Sequence, residues 1–139
     1  MMEISCIKPN LYLGAGIHAK RKTEEFKKLN IDVVINCCNE IVHEPNDIFI
    51  VENFPINDGY DATIYPWLDE IVDKIKSYLD QNKRVYVHCV QGRSRSPAII
   101  IYYLMKYENM TYSDAFMFVK PIRPVLSLNL NFVVELMAI

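Results

Sequence analysis

The chain has 139 residues, of which 51% are hydrophobic, and a formal net charge of −2 at pH 7. That is the size of one domain with material for one core, so a single domain spanning 1–139 is expected. The slightly acidic balance argues against a general binder of nucleic acid or anionic membranes, and the longest apolar run, residues 97–105, is far short of the ~20 residues that span a bilayer.

Residues 4–7 and 11–13 read as two short strands parted by a Pro9-Asn10 turn, after which Gly14 and Gly16 are expected to break the chain. Residues 19–29 carry charge on most faces with Phe26 and Leu29 turned inward, as in a solvated helix. Residues 31–36 and 48–54 are apolar runs and read as strands. A polar loop, 39–47, lies between them, and the next loop, 55–63, contains Asn57, Asp58 and Gly59. The clearest helix is 63–82, where Ile64, Leu68, Ile71, Val72, Ile75 and Leu79 form one stripe. Thr63 is placed to cap it and Pro66 falls in its first turn. Residues 84–88 read as a strand and 96–107 as a helix. Thr111 caps a further short helix packed by Ala115, Phe116, Phe118 and Val119 and ended by Pro121 and Pro124, and 128–137 is the last helix. The order implies an α/β fold: a central sheet of four to five mostly parallel strands with helices on both sides.

The stretch from Val85 to Met105 organises the rest. A β-branched and aromatic strand feeds a small polar loop, and the loop feeds a helix with Pro97 in its first turn. Loop amides and a helix N-terminus together make an anion site. Cys89 at the loop's start faces that positive field, which favours the thiolate. Arg95 at its far end offers a planar fork for two phosphate oxygens, and Gly92 lets the backbone fold close beneath a ligand. These are the requirements for nucleophilic attack on a phosphate monoester.

His88, Cys89, Gly92, Arg95 and Ser96 also match the H-C-x-x-G-x-x-R-[S/T] loop, and the chain resembles the dual-specificity phosphatases among the cysteine-dependent protein tyrosine phosphatases. The opening I-K-P-N-L-Y-L-G-A and the tail from Arg123 resemble the same family. The resemblance implies a phosphocysteine intermediate without cofactor or metal. It gives Cys89 as nucleophile, Arg95 as phosphate binder, and the amides of Val90, Gln91, Gly92, Arg93, Ser94 and Arg95 as the cradle. Ser96 would donate to the sulfur and help it leave, and His88 would support the loop from behind. Asp58, thirty-one residues before Cys89, would be the general acid, with Asp61 the alternative. Asn129 would brace the active loop, although Leu128 stands where the family has a proline. Asn36, Cys38 and Glu40 resemble a lipid-phosphatase segment, which implies Cys38 as a redox partner of Cys89; the other reading of Cys38 is a small buried residue. His18 and His43 read as surface residues.

The implied substrate is a phosphoprotein carrying phosphotyrosine and phosphoserine or phosphothreonine. Arg93 would suit a polyanionic ester such as a phosphoinositide, or else it pairs with a surface carboxylate. A module that only captures phosphoproteins is the rival of a different class. Four cysteines without a disulfide or zinc pattern, and no signal-peptide or prenylation pattern, imply a soluble chain in the cytoplasm, with the nucleus also open. No nucleic-acid partner and no membrane insertion are expected.

Overall fold

The computed structural model describes residues 3–139. Strands β1 (Ser5–Lys8), β2 (Leu11–Ala15), β3 (Val33–Asn36), β4 (Ile50–Asn53) and β5 (Val85–Cys89) form one sheet in the order β1-β2-β5-β3-β4. β5 pairs in parallel with β2 and β3, and β3 with β4; β1 and β2 are antiparallel. The predicted α/β class is therefore realised, with five strands where four to five mostly parallel ones are expected.

Alternation along β5 divides the core. Val85 and Val87 point to one face, where they join Leu13, Ile35 and Ile99 in the main cluster. Four helices cover this face: α3 (Leu68–Asp80), α4 (Arg95–Tyr107), α5 (Tyr112–Ile122) and α6 (Leu130–Met137). Tyr86 points the other way and packs with Tyr12, Phe26 and Phe49 beneath α1 (Gly16–Arg21) and α2 (Glu24–Lys28). The rings of Phe26 and Tyr86 meet edge to face at 5.3 Å. None of the helices among the described residues is long and apolar enough to cross a membrane.

Several local expectations are corrected. Gly14 does not break the chain, because β2 runs through it to Ala15. A Cβ at Gly14 would press into the Tyr86 ring, whose hydroxyl donates to Ala15 O at 2.6 Å; the glycine makes room for that bond. The single helix expected over 19–29 is two. Lys22 turns left-handed at φ 48°, and Thr23 restarts the chain by accepting Phe26 N. The long helix begins as a 3-10 turn, Tyr65–Trp67, and Thr63 does not cap it. Its hydroxyl donates instead to Glu135, which itself accepts from Ile64 N at 2.7 Å. Thr111 does cap α5, accepting Asp114 N at 3.1 Å, but α5 runs one residue past Pro121 and Phe118 faces solvent.

β2, β3, β4 and β5 all end on the same side of the sheet. Their trailing loops therefore meet, which is where open α/β sheets bind ligands.

Candidate active site

Cys89 is the last residue of β5, and Glu40 and Asp58 lie on the loops that follow β3 and β4. These three line a pocket of about 370 Å³ with Val90, Gln91, Arg93, Ser94, Arg95 and Ser127. The Cys89 thiol is buried at its floor, and its Sγ lies 3.1 Å from Ser96 Oγ. At that distance the hydroxyl is within hydrogen-bond reach of the sulfur.

The loop over Cys89 is held open from behind. Val90 O accepts from Gly16 N at 3.0 Å and Arg93 O from Ser127 N at 2.8 Å. Between them, Gln91 O and Gly92 O accept from Arg123 at 3.1 and 2.9 Å. In a trans peptide the C=O and the following N–H point in opposite directions. Tying the carbonyls outward therefore turns the N–H groups of Gln91, Gly92, Arg93 and Ser94 toward the pocket. Gly92 is left-handed at φ 67°, and a Cβ there would lie 2.6 Å from Arg123 Nη2. At the end of the loop α4 starts without a side-chain cap. The Ser94 hydroxyl accepts from Asn129 N and faces Asp58 instead, so the first amides of α4 also remain for an anion.

Arg123 was missed by sequence reasoning; its only signal was its place at the head of the family-like tail. It is buried, and it also donates to Glu3 O at 2.6 Å and Ser5 Oγ at 3.2 Å. Arg123→Met is expected to strand these acceptors and cost about 2–4 kcal/mol of stability. Urea unfolding checks this. A loss below about 0.5 kcal/mol would show that the loop carries its own shape.

Arg95 is buried and already engaged on one side. Its Nη1 and Nη2 hold both Glu40 oxygens, at 2.6 and 2.9 Å, and Nη1 also donates to Ile56 O at 2.9 Å. The Arg95 hydrogen bond holds the Glu40 carboxyl below its ordinary range. Nε is buried without a hydrogen-bond partner among the described residues and lies 3.9 Å from Asp58 Oδ2. A phosphate oxygen in the pocket would satisfy it. In the sequence Glu40 stands out only as part of the Cys38 segment, since nothing local points to a partner fifty-five residues on.

The structure brings Asp58 to the pocket and leaves Asp61 exposed outside the lining. Asn129 holds Asp58 through Nδ2, at 3.2 Å from Oδ1, and braces the phosphate loop through its backbone N–H to Ser94. Arg93 is exposed at the mouth and makes no ion pair among the described residues, so the surface-carboxylate alternative falls away.

His88 turns away from the thiol. Its Nδ1 lies 2.8 Å from Cys89 O, which can only accept, so Nδ1 carries the proton. Its Nε2 faces His43 Nε2 at 2.7 Å. Burial pushes the His88 imidazole down to about 3, so it stays neutral and acts as a strut. His43 and His18 are buried rather than at the surface as expected. His43 folds its loop back under β5, and His18 Nδ1 lies 2.8 Å from Thr23 Oγ1. Cys37 and Cys38 are buried free thiols, and burial raises both; Cys38 Sγ lies 3.1 Å from Asn36 Oδ1. Among the described residues no group of His, Cys, Asp or Glu is arranged to hold a metal ion.

Comparison with known proteins follows the same lines. Residues 11–139 match the family model described as dual specificity phosphatase, catalytic domain. The chain is 40% identical to human dual specificity protein phosphatase 16 over 135 residues, covering 94% of this chain and 20% of that protein. It is 36% identical to dual specificity protein phosphatase 1-A of Xenopus laevis, covering 94% of this chain and 35% of that protein. The chain thus spans about a fifth to a third of these relatives' lengths. Among solved structures, human tyrosine phosphatase-like serine/threonine/tyrosine-interacting protein superposes with a TM-score of 0.90 at 29% identity, over 99% of this chain and 95% of that one.

Proposed function

The chain belongs to the dual-specificity phosphatase catalytic-domain family, and on that premise we propose that it hydrolyses phosphotyrosine and phosphoserine or phosphothreonine in proteins through a phosphocysteine intermediate. The observation that carries this reading is that Asp58, from the loop after β4, meets Cys89 and Arg95, at the two ends of the loop after β5, at one pocket. Cys89 Sγ attacks phosphorus in line and the P–O bond to the substrate breaks. Asp58 gives its proton to the departing oxygen. Arg95 and the loop amides bind the three equatorial oxygens, where charge accumulates. In the second step Asp58 takes a proton from water as the water attacks phosphorus, and the P–S bond breaks. Ser96 donates to the sulfur as it leaves.

Arg93, exposed at the mouth and without an ion pair among the described residues, favours a second reading with the same chemistry, a polyanionic ester such as a phosphoinositide. Four free thiols suit the reducing cytoplasm. The test is metal-free phosphate release from phosphotyrosine and phosphothreonine peptides and from phosphoinositides, with Cys89→Ser as blank. Peptide turnover at least about tenfold above phosphoinositide turnover is expected. The reverse order would move the assignment to lipids, and no release above the blank would leave only capture.

A further inference from the structure

The acid loop has little of its own to hold it. Asn57, Asp58, Tyr60 and Asp61 are exposed, and the internal bonds of the segment are few: Gly59 N to Asn57 Oδ1 at 3.0 Å and Ala62 N to Gly59 O at 2.9 Å. Ile56 and Ala62 are buried in the core on either side, but the exposed stretch between them has little internal bonding to fix where Asp58 points. Here it hangs from α6. Asn129 donates to Asp58 Oδ1 and, at 3.0 Å, to Gly59 O. Asn131 Nδ2 donates to the carbonyls of Tyr60 and Ala62. Glu135, one turn on and on the same face, takes the Thr63 hydroxyl together with Ile64 N at 2.7 Å and Tyr65 N at 3.3 Å. The loop is gripped from Asp58 to Tyr65 by a single helix.

We propose that Asn131 and Glu135 are positioning residues for Asp58: they hold the acid loop at the pocket before substrate arrives and so set how well the leaving oxygen is protonated. The inference rests on the reading of Asp58 as general acid. Neither residue lines the pocket, so neither bears on phosphate binding or on Cys89. Asn131 acts on the loop through its side-chain amide alone, because its backbone N–H is spent on Asn129 Oδ1 at 2.9 Å. An Asn131→Ala variant therefore keeps the N-cap of α6 and releases only the loop. Glu135 works as a cap supplied from outside: its carboxylate meets the amides at the start of the 3-10 turn.

The experiment compares two aryl phosphates that differ in leaving-group acidity. 4-Nitrophenyl phosphate releases an acidic phenol and needs little protonation; phenyl phosphate needs much more. Asn131→Ala is expected to lower kcat/KM about tenfold for phenyl phosphate and less than about twofold for 4-nitrophenyl phosphate. Glu135→Ala should discriminate in the same direction. Glu135→Gln retains an acceptor for Ile64 N and should return phenyl phosphate turnover to within about threefold of the parent. Asp58→Asn, assayed beside them, should show the same preference more steeply. If Asp58→Asn is selective for the poor leaving group while both alanine variants lose the two substrates equally, or lose neither, the positioning role is overturned and the acid stands. If Asp58→Asn itself loses both substrates equally, the acid assignment falls and the proposal with it. Should Asn131→Ala fail to fold in a melting experiment, Glu135→Ala against Glu135→Gln decides.

Discussion

Cys89→Ser is expected to lower phosphate release by on the order of 10⁴-fold or more while leaving the fold and phosphate binding in place. The exchange alters one atom in a residue that is 3% exposed, so the sheet and the loop lose almost nothing. What changes is the proton. A thiol gives up its proton far more readily than an alcohol, and the loop amides, the uncapped start of α4 and the Ser96 hydroxyl surround the attacking atom. A serine hydroxyl holds its proton far more tightly and would need a base. His88 cannot serve, since one ring nitrogen is committed to the Cys89 carbonyl and the other to His43. Acid-quenched labelling should trap phosphate on the parent protein and none on the variant, while vanadate still binds both. Turnover within tenfold of the parent would mean that another group attacks phosphorus.

Arg95→Lys is the second large effect expected. The charge is kept, yet kcat/KM should fall by about 10³-fold. Arg95 divides its donors: two nitrogens hold Glu40 and Ile56 O, while Nε remains for the pocket. A lysine ammonium has no such division. If it stays with Glu40, the phosphate loses its side-chain cation; if it swings to phosphate, Glu40 and Ile56 O lose their donor. The loss should appear in kcat as well as KM, because charge on the equatorial oxygens must be met in the transition state. Steady-state kinetics with a phosphotyrosine peptide and vanadate affinity separate the two. A loss under tenfold would reduce Arg95 to a structural partner of Glu40.

The chemistry of the phosphate loop was legible because it is local. Cys89, Gly92, Arg95 and Ser96 lie within eight positions, so their order along strand, turn and helix is written in one short stretch. The stripe of α3 and the apolar strands were legible for the same reason, since periodicity reports which face is buried. The errors fell where a partner comes from far along the chain. Thr63 has the chemistry of a cap, but Glu135, seventy-two residues on, supplies the cap instead. His43 reads as a surface residue, yet it is buried against His88, and Gly14 reads as a breaker, yet Tyr86 fills the space beside it.

Composition and pattern were thus enough to specify an α/β chain with one phosphate loop and a thiol facing it, since backbone dipoles and side-chain spacing act over a few residues. What ties the loop carbonyls outward and what holds the Asp58 loop were decided only when the parallel sheet brought its strand ends together. Arg123 beneath Gly92, Asn129 beside Asp58, and Asn131 and Glu135 under the loop are contacts between distant segments. Such contacts leave no periodicity in the chain, because their energy depends on distances that exist only after folding.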